Sequence, residues 1–216
     1  MPRTEKQLEA IIRPMAQARY EADFLFGGLE GSLQRLGEDF GGLELTPDFQ
    51  RGHVWTPDQK RHFIENLLRG IISTSGLTIQ FNCPQFEENS ARRRDQDLPN
   101  HLQCIDGLQR LTAVLDFLRG EVQPFGLSRD DLVGSRYDPR RMTFHLRVAI
   151  FAFQRREDLL QHYLDLNAGG TPHSPQEIQR VRGLLEQARE HQRGASDMAP
   201  DEPNPDARLE DTDLKP

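Results

Sequence analysis

The chain has 216 residues, of which 36% are hydrophobic, against about 45–50% in ordinary globular domains, so one core is within reach and part of the chain is left to solvent. Its net charge of −7 excludes a protein that coats nucleic acid through an overall positive charge. The segment Ser196–Pro216 carries seven acids and two bases, a net of −5, so the preceding residues hold 27 acids and 25 bases, a net of −2, and the clusters Arg92–Arg94 and Arg140–Arg141 are expected to be available to an anion. Met1–Lys6 lacks the apolar run of a signal peptide. No stretch approaches the ~20 apolar residues that span a bilayer. The expectation is a cytoplasmic protein with no membrane partner. Two cysteines, Cys83 and Cys104, are too few for a zinc set or a disulfide framework, and Cys104, in an apolar stretch, is expected to be a buried, reduced thiol.

In chain order, residues 1–40 read as a helical segment: Leu8, Ile11, Ile12 and Met15 recur at helical spacing, Gly27-Gly28 interrupts, and a short helix is expected over Gly31–Asp39. Residues 41–192 read as the body of the domain. Within it, Thr56-Pro57-Asp58-Gln59 carries a capping threonine, proline at the first helical position and Gln three residues on, followed by the apolar face Phe63, Ile64, Leu67, Leu68 and a stop at Gly70. Leu77–Phe81 and His101–Ile105 read as strands on either side of a charged segment, Glu87–Asn100, expected to be a mobile loop. A helix is expected after Ile105, with Leu111, Val114, Leu115 and Leu118 as its apolar face and Gly120 as its end. The strict alternation of Phe144, Leu146, Val148 and Ile150 predicts a half-buried strand. Leu159, Leu160, Tyr163 and Leu164 mark another helix, and Ser174-Pro175-Gln176-Glu177 the capping box of a last one. Residues 193–216, acidic and holding four prolines, read as a disordered tail. This order of elements predicts a small α+β domain, without a βαβ repeat, a dinucleotide fingerprint or a Walker A sequence.

Three stretches carry candidate chemistry. The first is Asp106-Gly107-Leu108-Gln109-Arg110 at a strand-to-helix turn. A helix N-terminus offers unpaired N–H groups and partial positive charge to an anion. Gly107 would let a ligand approach the backbone, Arg110 would add a guanidinium fork for phosphate, and Gln109 would orient a water or a polar group. Asp106 would cap the helix, hold Arg110, bind a metal through phosphate, or act as a base. The same residues also read as helix caps alone, with Arg110 on a solvated face. The second stretch is Pro47–Trp55: Phe49, Val54 and Trp55 are expected to anchor the loop in the core, holding Gln50 and Arg51 rigidly, with His53 beside them. Trp55, the only tryptophan, is assigned to the core rather than to base stacking. The third is Leu166–Ser174, a helix connector whose Asn167 would form a polar wall of the site. None of the seven histidines stands in a metal-ligand spacing.

Together "PDFQRGHVW", "IDGLQRLTAVLDFLRG" and "YLDLNAGGTPHSPQEI", in this order, resemble the N-terminal domain of GmrSD-type restriction enzymes, itself similar to the ParB/sulfiredoxin superfamily; the resemblance runs from about Leu43 to Ile178. It implies a ParB/sulfiredoxin-like mixed-sheet domain with flanking helices and a phosphate-binding cleft. Asp106, Gly107, Gln109 and Arg110 match the family's Asp-Gly-Gln-Gln-Arg motif, Gln50 and Arg51 its Phe-Gln-Arg box, and Asn167 its late asparagine, whereas Leu108 replaces the first glutamine. Stand-alone domains similar to this one occur in phages that hypermodify thymine. The resemblance therefore implies a transferase that displaces phosphate from a phosphorylated 5-hydroxymethyluracil base in DNA with an amine or amino acid, in evasion of host restriction. Asp106, Gln109 and Arg110 are its expected catalytic residues, and Gln50, Arg51, His53, Gly107 and Asn167 its phosphate-binding residues. Its partners would be modified DNA, the amine and other DNA-modification enzymes, in the host cytoplasm if a phage encodes it, with no cofactor assigned. The alternatives are an NTP-binding or NTP-hydrolysing DNA sensor of a restriction system, which would take a nucleotide and Mg2+, and a non-catalytic ParB-like DNA-binding module. The acidic C-terminus stands where such restriction enzymes carry an HNH-like nuclease domain.

Overall fold

The computed structural model describes residues 2–52, 54–86, 96–168 and 175–197. Their elements are α1 (Glu5–Ile12), β1 (Tyr20–Leu25), α2 (Leu29–Asp39), β2 (Leu43–Glu44), α3 (Pro57–Leu68), β3 (Thr78–Asn82), β4 (Leu102–Asp106), α4 (Leu108–Arg119), β5 (His145–Phe151), α5 (Arg156–Ala168) and α6 (Pro175–Asp197). The fold is α+β, as the order of elements predicted. Five strands form one mixed sheet in the order β1-β5-β3-β4-β2. β1 pairs antiparallel with β5, β5 runs parallel to β3, β3 antiparallel to β4, and β4 parallel to the two-residue β2.

Alternation along β5 explains the two-sided core. Leu146, Val148 and Ile150 face the cluster that contains Leu29 of α2, Ile64 of α3 and Leu111 and Phe117 of α4. Ala149 and Phe151 face a second cluster with Leu159, Leu160 and Tyr163 of α5, and Val181 and Leu185 of α6. The predicted half-buried strand is therefore buried on both faces in its C-terminal half; only His145 and Arg147, before α5 and α6 cover the sheet, reach outward. Such burial is what a strand between two helical layers requires.

Residues 1–40 are not wholly helical. β1 lies within them, with Ala22 and Phe24 turned inward, Glu21 and Asp23 outward, and Tyr20 partly exposed at its start. The short period-two run Tyr20–Phe24 is an edge strand with charges on its solvent side, a pattern masked by the helical spacing that precedes it. The helix expected from Gly31 starts at Leu29, and α1 ends at Ile12, with Leu8, Ile11 and Ile12 exposed. α6 runs to Asp197, past the position where the acidic tail was expected to begin. Most of Glu87–Asn100, including Arg92–Arg94, and the Gly169–Ser174 connector lie outside the described residues. Arg140 is not available to an anion: it grips Asp138 with two nitrogens at 3.0 and 2.8 Å, which holds that carboxyl well below the usual carboxylate range. Among the described residues no helix is long and apolar enough to cross a membrane.

Candidate functional site

The strand-to-helix turn forms because Gly107 adopts φ +91°, a left-handed conformation that favours glycine, and opens α4 as its N-cap. A Cβ there would stand 2.6 Å from Ile79 Cδ1 and 3.0 Å from the Thr78 carbonyl. The missing side chain thus lets α4 close on β3, rather than letting a ligand reach the backbone as the sequence suggested. Asp106 does not cap the helix; no side chain does. As the last residue of β4, Asp106 instead forms an ion pair across the turn with Arg110, both partly exposed. The first-turn amides of α4 are left with the partial positive charge of an uncapped helix end.

Gln109 is 8% exposed, and its amide is fully engaged. Its Oε1 accepts from Val54 N and Trp55 N, both at 3.0 Å, and its Nε2 donates to the Gly52 carbonyl at 2.6 Å. The residue read as a catalytic candidate therefore holds the second half of the Pro47–Trp55 loop against α4. The first half is held from elsewhere. Gln50 Nε2 donates to the Ile105 carbonyl at 2.9 Å. Phe49 is fully buried, edge-on to Tyr163 with ring centroids 5.5 Å apart. The Arg180 guanidinium of α6 donates to the carbonyls of Asp48, Phe49 and Gln50 in succession, and Arg156 of α5 pairs with the Asp48 carboxylate at 2.6 Å. Val54, expected to be a core anchor, is 50% exposed; Phe49 and Trp55 do the anchoring.

These supports bring the three sequence motifs to one cavity of about 400 Å³. Gln50 and Arg51 line it from the loop, Asp106, Gly107, Gln109 and Arg110 from the turn, and Asn167 from the end of α5. Asp106 is the only carboxylate among its described lining residues, against two guanidinium groups, so the local balance is positive. Among the described residues Arg51 has no ion-pair partner, unlike Arg110. Asn167 Nδ2 donates to the Tyr163 carbonyl one turn back, at 2.6 Å. His53 lies outside the described residues.

Tyr163 also lines the cavity, and sequence reasoning missed it by reading it only as part of an apolar helix face. Burial pushes its hydroxyl up to about 12, so it stays protonated at any ordinary pH. Trp55 and Phe63 add an aromatic wall, their ring centroids 5.2 Å apart. Cys104, directly beneath the turn, is fully buried, and burial raises its thiol to about 12, which removes it as a nucleophile. No group of three or more potential metal ligands occurs among the described residues.

A five-stranded α+β sheet thus carries an arginine-lined cavity at a strand-to-helix turn. The chain belongs to the family described as GmrSD restriction endonuclease, N-terminal domain, whose sequence model matches residues 34–149. The match covers β2 to most of β5, including both the Gln50-Arg51 and Asp106–Arg110 motifs, and stops before α5 and α6. Membership assigns the protein a DNA-directed role connected with restriction or DNA modification. No curated protein and no solved structure matches the chain.

Proposed function

We propose that the cavity binds the phosphate of a phosphorylated base in DNA and that the protein is a transferase, replacing that phosphate with an amine or amino acid. The observation that carries this reading is the convergence of Arg51, Arg110 and the uncapped start of α4 on one cavity with a single carboxylate. With 5-phosphohydroxymethyluracil as substrate, the base leaves the stack so that its phosphate enters the cavity. The amine lone pair forms a C–N bond to the exocyclic methylene carbon. The C–O bond breaks, and its electron pair departs with the phosphate. Asp106 takes the proton released from the attacking nitrogen. Arg51, Arg110 and the first-turn amides neutralise the leaving group. Gln109 and Gln50 set the geometry from behind, and Asn167 closes the cavity on the α5 side.

Family membership among restriction endonucleases favours a second reading, in which the same cradle holds the phosphates of a nucleoside triphosphate and senses DNA for a separate nuclease. Leu108 counts against it: where the family motif has a polar glutamine, this residue is 2% exposed in the core.

One assay separates the two. The purified protein is incubated with DNA carrying phosphorylated 5-hydroxymethyluracil and a mixture of amino acids, and the digested nucleosides are weighed. An aminated nucleoside with stoichiometric phosphate release is expected, and Arg110→Ala should abolish it while leaving the melting temperature near wild type. Phosphate release from ATP or GTP with the DNA unaltered would replace the transferase by the sensor. DNA retention without turnover of either kind would leave a binding module.

A further inference from the structure

Trp55 and Phe63 belong to two concavities at once. They wall the anion cavity. They also line, with Ile72, an adjoining groove of about 490 Å³ rimmed by His62 and Asn66. Its volume falls within the roughly 300–1,000 Å³ of small-molecule sites. Groove and cavity differ in chemistry: Trp55, Phe63 and Ile72 give the groove an apolar floor, whereas the cavity holds the two guanidinium groups. His62 and Asn66 are already joined at 3.1 Å, placing an imidazole and an amide side by side at the rim.

We infer that this groove is the ring subsite of the substrate: Trp55 stacks a flat heteroaromatic base whose phosphate lies next door between Arg51 and Arg110. The inference rests on the phosphate reading above and adds the place of the ring, one methylene and one oxygen away from the anion. A shared aromatic wall suits that molecule, because ring and phosphate are then neighbours across one methylene and one oxygen. A nucleoside triphosphate would separate its base from its terminal phosphate by a sugar and two further phosphates. Aromatic side chains take bases by their π-faces with little regard to sequence, and the paired His62 and Asn66 offer a donor and an acceptor to the ring edge.

The test compares benzyl phosphate with methyl phosphate, which share the anion and differ in the ring. By calorimetry on the full chain, benzyl phosphate should bind about tenfold more tightly, in line with the usual worth of one aromatic stacking contact. Because Trp55 is the only tryptophan, its emission should shift more on addition of benzyl phosphate than of methyl phosphate. In Trp55→Leu, checked for folding by its melting curve, the affinity ratio should fall close to one. Equal binding of both phosphates, or a ratio that survives Trp55→Leu, would overturn the ring subsite and leave the anion cavity intact. If neither phosphate binds, the subsite and the phosphate reading fall together.

Discussion

The two halves of the Pro47–Trp55 loop are held by opposite means. Gly52–Trp55 is tied to α4 by one buried, neutral amide, that of Gln109, which satisfies three backbone groups at once. Asp48–Gln50 is tied to α6 by a charged and exposed side chain, that of Arg180, laid along three successive carbonyls. Removing a buried partner leaves backbone groups that water cannot reach, whereas removing an exposed one lets water take its place. The half carrying Trp55 should therefore be the rigid half, and the half carrying Arg51 the adjustable one. The second tether comes from a helix beyond the part of the chain that the family match covers.

Gln109→Leu is the sharpest way to break this contrast. It keeps a side chain of similar bulk but strands two amides and a carbonyl, so a loss of about 3 kcal/mol is expected in chemical denaturation. Phosphate binding should weaken with it; a near-neutral result would show that the loop holds itself. Next in size is Gly107→Ala. Its methyl meets Ile79, and its φ is strained, so about 2 kcal/mol should be lost with α4 displaced from β3. Arg180→Met tests the other tether. Stability should fall by about 1 kcal/mol or less, while phosphate affinity drops severalfold because Arg51 is no longer held in place. Equal stability losses from Gln109→Leu and Arg180→Met would erase the distinction between the two halves.

The smallest expected effect belongs to His162, on the α5 side. It is 5% exposed, its ring tilted against those of Phe151 and Phe153, and among the described residues its Nε2 has no hydrogen-bond partner. Burial lowers its pKa below the ordinary value of about 6.5. The unfolded chain then binds the proton first as pH falls, so this contribution to stability is complete above about pH 6.5 and declines below it. Melting temperatures measured from pH 7.5 to 5 should fall by a few degrees, and less in His162→Phe. An identical decline in both would assign the acid sensitivity elsewhere.

What could be read from the sequence followed local physics. The strand, glycine turn and helix around Gly107 announce themselves through an apolar run, a break and a renewed 3.6-residue period. Their grouping with Gln50, Arg51 and Asn167 came from the order of three motifs, and these residues line one cavity. The jobs of individual side chains were not legible. Gln109, three residues after Asp106, looks like half of a capping box, yet its partners lie more than fifty residues away in sequence. Arg180 is one of several arginines on a polar helix, and Tyr163 one apolar position among four; only the packing of α5 and α6 across the sheet gives either a role at the site.

Both cysteines are sealed in the core, and burial raises the thiol of each. The folded protein should thus ignore thiol-directed reagents, and wild-type material needs no cysteine removal before labelling. Met142, 79% exposed and remote in sequence from every cavity motif, is a natural place for a single engineered handle. A fluorophore attached through Met142→Cys would label the folded molecule at one site, with unfolding itself betrayed by the appearance of two further reactive sulfurs.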